Sequence, residues 1–191
     1  MKLITIVNSY DNEAERPQYY LKADTALLRN NDAFYIPDGV GRIVAAPHIV
    51  LKVSRIAKCI GERFAARCID GVMGGITFTA IDRLNEARSN GLPWDEAVGF
   101  DHSSALSLDT LSRDAMLEGA TLYINDKECA RIKLGDMRFS VDKIVSHLSE
   151  RMTLRIGDLI FLGAPAEFEV KAGDNYRLTI GDHTLLNFDI K

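Results

Sequence analysis

Short runs of apolar residues recur along this chain, some continuous and some alternating with polar residues, and such runs predict β-strands. The predicted strands are Lys2–Val7, Gln18–Leu21, Ile43–Val53, Ile76–Ala80, Ala105–Leu108, Thr121–Ile124, Ala130–Leu134 and Leu159–Leu162. A terminal hairpin is predicted within Val170–Ile190, turning at Gly181-Asp182. The run Ile43–Val53 is nearly all apolar, which indicates a strand that is buried on both faces.

One segment has a clear helical pattern. Ser140 is a good N-cap, and apolar residues then recur at helical spacing, so a helix is predicted over Ser140–Glu150. Shorter helices are predicted at Glu62–Asp70 and at Arg83–Ser89, the second of them capped by Asp82. Many short strands with a few short helices favour a single β-rich α+β domain over residues 1–191, rather than a doubly wound sheet.

Composition narrows the function classes. The chain has 191 residues and a net charge of −4, and its basic residues are scattered, which disfavours a nucleic-acid partner. No apolar run approaches the roughly 20 residues that span a bilayer, so no membrane partner is expected. The three cysteines form no C-x-x-C pair, which favours reduced thiols and a cytoplasmic protein, with Cys59 and Cys68 as small core residues.

The stretch DMRFSVDKIVSHLSERMTLRIGDLIFLGAP (Asp136–Pro165) resembles the C-terminal signature DM-x-FS…L-T-x-GD-L-I-x-TGTP of the fumarylacetoacetate hydrolase family. Four earlier segments resemble family motifs in the family order: YLKADTALL, KVSRIAKCIGERFA, GITFTAIDRL and VGFD, which begin at Tyr20, Lys52, Gly75 and Val98. The resemblance implies a mixed β-sandwich roll with a few short helices, and a homodimer.

The resemblance also implies where a catalytic centre would lie. Members are mostly magnesium-dependent enzymes acting on small diketo or hydroxy-keto acids, with the cation held by carboxylate oxygens. The ligand positions fall here on Ala46, His48 and Thr77. The family's arginine, glutamine and lysine fall on Ile81, Leu84 and Val98, and its threonine hydroxyls on Leu162 and Ala164.

Most of these positions carry apolar side chains, and a lone imidazole is a poor ligand for a hard cation, so the resemblance predicts a degenerate metal site and a catalytically inactive protein (a pseudoenzyme) without a cofactor. The alternative is a divergent hydrolase, decarboxylase or isomerase of small diketo or hydroxy-keto acids, with Mg or Mn bound. A residual pocket is predicted at Tyr10, His48, Thr77, Asp101 and Gly163. Residues 1–38 correspond to an eroded N-terminal lid and strand region, and the identity of any small-molecule or protein partner stays open.

Simpler interpretations compete with each candidate. A hydrogen-bonded structural histidine is favoured for His48, and a solvated loop pair for Asp101-His102. Asp82 and Glu86 are one helical turn apart, but a helix cap and a solvent residue are favoured over a cation site. Ser103 lacks the G-x-S-x-G context of a nucleophile. Three glycines just before the predicted strand Ile76–Ala80 are expected to form tight turns. They are Gly71, Gly74 and Gly75.

Overall fold

The computed structural model describes residues 1–191 and contains thirteen strands, numbered in chain order. They are β1 (Leu3–Ile6), β2 (Tyr19–Lys22), β3 (Leu27–Leu28), β4 (Ile43–Val53), β5 (Ile69–Ala80), β6 (Ser104–Leu106), β7 (Leu111–Ser112), β8 (Ala120–Ile124), β9 (Lys127–Ile132), β10 (Leu159–Phe161), β11 (Phe168–Glu169), β12 (Asn175–Ile180) and β13 (His183–Asp189). The α-helices are α1 (Glu62–Ala65), α2 (Ile81–Asn90), α3 (Asp95–Val98) and α4 (Val141–Arg151). This mixture confirms the predicted β-rich α+β class.

Nine strands form one mixed sheet in the order β2-β1-β10-β4-β5-β6-β3, with β11 also paired to β4 and β7 to β5. The first and last strands of this path, β2 and β3, are separated in sequence only by residues 23–26. The sheet therefore curls until its two edges meet. The Lys22 amine, at the end of β2, donates to the Ser103 carbonyl just before β6, at 2.7 Å. The result is a roll with an outer face and an inner face.

The outer face of the roll packs on the second sheet, which has the order β13-β12-β8-β9. Side chains from β4, β5, β12 and β13 meet there in the main core of 39 buried residues, joined by the apolar face of α4. The inner face has its own smaller apolar cluster at one end of the roll: Leu3, Ala26, Leu27, Val50, Met73, Leu106, Leu159 and Phe161. Every second residue of a strand faces the inside of the roll. Towards the opposite end of the roll, the inward-facing side chains of these strands are polar.

Helix α4 begins as predicted, since the Ser140 hydroxyl accepts a hydrogen bond from the Lys143 backbone N–H. The helix predicted at Glu62–Asp70 is shorter: α1 ends at Ala65, a 3-10 turn covers Ala66–Cys68, and Ile69 already belongs to β5. The prediction of Asp82 as a cap was wrong. Ala80 is the N-cap of α2, and the Asp82 carboxylate instead binds the backbone and guanidinium of Arg42.

The three glycines predicted in turns lie inside β5, so that prediction was also wrong. Gly74 and Gly75 leave room for neighbouring side chains and do not form turns of the chain. A Cβ on Gly75 would lie 2.5 Å from Val50 Cγ2 and 2.7 Å from Phe161 Cε1, and a Cβ on Gly74 would lie 3.0 Å from Leu185. Glycine allows the inner and outer packing layers to approach β5 closely.

The cysteines form no disulfide, and only part of the prediction for them holds. Cys68 is buried as predicted, whereas Cys59 is exposed, in a left-handed backbone conformation with a φ of 51°. None of the helices combines the length and the apolar character that crossing a membrane requires.

Candidate functional site

A cavity of about 110 Å³ opens on the polar end of the inner face. The positions marked by the family motifs come together in its wall: Ala46, His48, Thr77, Leu84, Val98 and Ala164. Ile81 packs against the apolar cluster formed there by Leu84, Ala97 and Val98. Residues that are far apart in sequence therefore converge at the place where the resemblance locates the catalytic centre.

His48 is the central polar group of the cavity wall, and both of its ring nitrogens are engaged. Nδ1 accepts a hydrogen bond from the Gly163 backbone N–H at 3.1 Å, and Nε2 lies 2.8 Å from Thr77 Oγ1. Since Nδ1 is an acceptor, the proton of the neutral ring belongs on Nε2, which donates to the threonine hydroxyl. Burial, together with the charge of nearby Lys22, lowers the pKa of His48 to about 3. The ring is therefore neutral at physiological pH.

This set of side chains does not match the requirements of a magnesium ion. Magnesium prefers octahedral oxygen ligands, mainly carboxylates and water. Ala46 offers no ligand atom, the Thr77 hydroxyl is bonded to His48, and the His48 nitrogens are occupied. No group of three or more His, Cys, Asp or Glu side chains in residues 1–191 is arranged to hold a metal ion. Of the cavity-lining residues, only Glu167 carries a carboxylate.

Lys22 lies just behind the cavity wall and is almost fully buried, with 4% of its surface exposed. Its amine donates to the carbonyl and to the hydroxyl of Ser103, at 2.7 and 3.1 Å, and makes no ion pair. The Ser103 hydroxyl in turn donates to the carbonyl of Val98, so Lys22 is linked to the cavity lining. Burial without a carboxylate partner lowers the pKa of the Lys22 amine well below its usual range.

Hydroxyl groups crowd the cavity floor. Burial raises the pKa of Tyr20 to about 12, against the opposing effect of the neighbouring hydroxyls of Thr5, Thr77 and Thr79. Thr5 Oγ1 adjoins Tyr20 but makes no well-formed hydrogen bond, and neither does Ser104 Oγ. Ser104 is the cross-strand partner of Thr77 and so points to the same inner face. Two of the three buried polar atoms that lack a partner in the molecule thus face this end of the roll.

Two opposite charges line the open side of the cavity. Arg88 of α2 lies over the Trp94 ring, with its Cζ 5.0 Å from the ring centroid, and Glu167 follows β10. Neither side chain forms a salt bridge within the protein. The cavity therefore combines a hydroxyl-rich, uncharged floor with one free cation and one free anion.

The residual pocket predicted from sequence is brought together only in part. His48, Thr77 and the Gly163 backbone are in direct contact. Tyr10 lies elsewhere, packed on the main core with its hydroxyl 3.5 Å from the Lys133 carbonyl. Asp101 and His102 form an exposed turn, as the simpler interpretation predicted. Ser103 is buried and supports Lys22 rather than meeting a histidine base.

Several residues of the site were not predicted from the sequence: the cavity-lining residues Thr5, Tyr20, Thr79, Arg88, Trp94 and Glu167, and Lys22 behind the wall. Tyr20 and Lys22 belong to the segment YLKADTALL, and its resemblance to a family motif was the available signal for them. Nothing local marked Arg88 or Glu167, which are exposed residues on a helix and a loop.

Comparison with known proteins agrees with this geometry. The family described as "Fumarylacetoacetate (FAA) hydrolase C-terminal" matches residues 5–190. The chain therefore belongs to the fumarylacetoacetate hydrolase family. The oxaloacetate tautomerase YcgM of Escherichia coli K12 is 23% identical over 176 residues, which cover 90% of this chain and 80% of that protein. The mitochondrial oxaloacetate tautomerase FAHD1 of Arabidopsis thaliana is 26% identical, covering 93% of this chain and 81% of that protein.

Solved structures show the same fold. A fumarylacetoacetate hydrolase family protein from Yersinia pestis CO92 superposes with a TM-score of 0.92 at 23% identity, covering 100% of this chain and 93% of that one. Fumarylpyruvate hydrolase from Pseudomonas aeruginosa, solved in complex with Mn²⁺ and pyruvate, superposes with a TM-score of 0.89 at 20% identity and covers 100% and 89%. At these identities the likeness establishes the fold alone.

Proposed function

We propose that this chain is a member of the fumarylacetoacetate hydrolase family with a degenerate metal site, which keeps the fold as a metal-free binding protein without the metal-dependent chemistry. The observation that carries the proposal is the state of His48. It occupies a position that the family motifs assign to a metal ligand, yet it is a buried neutral ring bonded to Thr77 and Gly163. A ring held in this way has no lone pair to offer a cation.

The neighbouring replacements support the same conclusion. Ala46 and Val98 are buried and apolar, so the charged residues expected at these two positions are missing together. Keeping carboxylates without their cation would leave like charges clustered in a buried site, whereas losing both avoids that cost. The internal hydrogen bonds of His48 also satisfy polar groups that a vacated metal site would otherwise leave unpaired.

The test is metal binding. Mg²⁺ and Mn²⁺ are titrated into the purified protein by calorimetry, and thermal unfolding is measured with and without EDTA. We expect no binding heat and no change in melting temperature. A site filled at a hundred times its Kd would stabilise the native state by about 2.7 kcal/mol, so a real site is easily detected. The Pseudomonas aeruginosa fumarylpyruvate hydrolase, solved with Mn²⁺, serves as the positive control. A chelator-sensitive melting temperature contradicts the proposal.

A second candidate is a divergent isomerase or hydrolase of small oxo acids. The relatives named oxaloacetate tautomerases favour it, as does the buried Lys22 amine beside the cavity. The measurement is oxaloacetate tautomerisation, followed in the presence of EDTA and again with added Mg²⁺. Turnover that depends on Mg²⁺ supports the second candidate and contradicts the first. Absence of turnover in both conditions, with the Escherichia coli relative active in the same assay, supports the first.

A further inference from the structure

We propose that the cavity beside His48 binds a small α-amino acid as a zwitterion, with the carboxylate on Arg88 and the ammonium on Glu167. The inference rests on the proposed function in one respect only, which is that no metal ion occupies the cavity. The ligand class differs from the acids named in the relatives, because it carries a positive charge next to its carboxylate.

The first observation is the pair of free charges. The Arg88 guanidinium lies over the Trp94 ring, with its Cζ 5.0 Å from the ring centroid, and forms no salt bridge, so its N–H groups are available to a ligand carboxylate. Glu167 lines the same cavity without a cationic partner. A simple carboxylic acid would be attracted by Arg88 and repelled by Glu167, and a simple amine would meet the reverse. A molecule with both charges is complementary to both residues.

The second observation is the unsatisfied cavity floor. Thr5 is 3% exposed and lines the cavity, yet its hydroxyl makes no well-formed hydrogen bond and has only the Tyr20 hydroxyl beside it. Leaving such a group unpaired in a buried site costs about 1–3 kcal/mol. A ligand oxygen that reaches the floor recovers this cost. The neutral His48 ring adds no charge there, so the floor suits a hydroxyl or a small uncharged side chain.

The third observation is size. At about 110 Å³ the cavity is small compared with the roughly 300–1,000 Å³ of typical ligand pockets. This space admits an amino acid whose side chain has one or two non-hydrogen atoms, such as alanine or serine. Aromatic and long aliphatic amino acids exceed it. Serine also carries a hydroxyl that can pair with Thr5.

Isothermal titration with matched ligands tests the proposal. L-Alanine and L-serine carry both charges, pyruvate and lactate carry only the carboxylate, and ethanolamine carries only the ammonium. We expect the two amino acids to bind at least tenfold more tightly than the other three. Pyruvate binding as tightly as alanine overturns the proposal in favour of a plain carboxylate site. Failure of both amino acids to bind at millimolar concentration also overturns it.

Variants separate the two charges. Arg88→Gln and Glu167→Gln should each weaken alanine binding at least tenfold, and Glu167→Gln should narrow the gap between alanine and pyruvate. Arg63→Gln is the matched control, because Arg63 is also an exposed arginine held over an aromatic ring, that of Phe64, outside the cavity. Equal losses in Arg63→Gln and Arg88→Gln count against the proposal.

Thr5→Val tests the cavity floor independently of folding. The substitution removes a hydroxyl that makes no well-formed hydrogen bond and keeps the shape, so the free protein should not lose thermal stability. Serine binding should nevertheless weaken severalfold. Unchanged serine binding contradicts the assigned role of Thr5. The proposed function is tested separately. Mg²⁺ binding to the unmodified protein contradicts the proposed function, whether or not amino acids bind. A protein that binds neither Mg²⁺ nor the amino acids contradicts only the amino-acid site.

Discussion

At the scale of single residues, His48 shows how one side chain can define the chemistry of a site through its hydrogen bonds. Its two partners, Thr77 and the Gly163 backbone, assign the proton to Nε2, and burial keeps the ring neutral. The ring is 2% exposed, so a protonated form would be a buried charge without an acidic partner. Acid should therefore weaken the fold through this residue.

We expect the stability of the protein to fall between pH 7 and pH 5 because of His48. Its pKa is about 3 in the folded protein and about 6.5 in an unfolded chain, so the unfolded state binds the proton first as the pH falls. At pH 5 this difference amounts to a loss of about 2 kcal/mol. Urea unfolding at pH 7, 6 and 5 measures it. His48→Gln should remove this pH dependence, whereas substitution of the exposed His183 should leave it unchanged. If the free energy of unfolding falls equally with pH in the wild type and in His48→Gln, the effect does not come from His48.

Gly75 offers a second prediction at the residue scale. A methyl group at this position would lie 2.5 Å from Val50 Cγ2 and 2.7 Å from Phe161 Cε1, in the packed interior of the roll. We expect Gly75→Ala to lower the free energy of unfolding by about 1–3 kcal/mol through overpacking. Gly135→Ala is the control, because a Cβ there meets no atom within 4 Å. A Gly75→Ala protein as stable as the control contradicts the packing argument.

At the scale of elements, helix α4 depends on its first residue. The Ser140 hydroxyl satisfies the Lys143 backbone N–H, and the helix then presents Ile144, Val145 and Leu148 to the main core. We expect Ser140→Ala to cost about 1 kcal/mol in the free energy of unfolding. Ser89→Ala, near the exposed end of α2, should change it by less than about 0.5 kcal/mol. Equal effects of the two substitutions would show that the cap does not stabilise the helix.

Strands β4 and β5 offer a way to test the proposed loss of a metal site. Ala46 and His48 are two residues apart on β4, and Thr77 is the cross-strand partner of Ala46 on β5, so all three face the cavity. The variant Ala46→Glu, His48→Glu, Thr77→Asp should bind Mg²⁺ and melt at a higher temperature with the ion than with EDTA. Ala46→Glu alone should be destabilised and bind no ion, because it adds one buried carboxylate without a partner. Magnesium binding by the single variant would show that the ligand positions are misassigned.

At the scale of the whole molecule, we propose that the protein is a homodimer, as the family resemblance implies. Ile56 and Ile156 are 67% and 68% exposed, on segments that the Ala57–Leu154 bridge holds together. Neighbouring exposed isoleucines are suited to burial against a second copy. Light scattering at micromolar concentrations should give twice the mass of the chain. A monomeric mass across this range contradicts the proposal.

The chain by itself determined most of the strands, the α4 helix and the order of the family motifs. Ile43–Val53 is a strand with the predicted bounds, and Gly181-Asp182 forms the predicted turn of the terminal hairpin, with a φ of 54° at Gly181. These features depend on local periodicity and on residues with a preferred backbone conformation, so neighbouring residues are enough to specify them. The motif order likewise located the positions that line the cavity.

Only the tertiary structure decided what each side chain meets. It placed Gly75 inside a strand, between β4 and β6, where the close approach of Val50 and Phe161 leaves no room for a side chain. It also paired Asp82 with Arg42 across 40 positions of sequence. It also buried Lys22 behind the cavity and left Tyr10 and Asp101 outside it. Burial, pairing and charge depend on contacts between distant segments, which the curl of the large sheet creates and which no local pattern records.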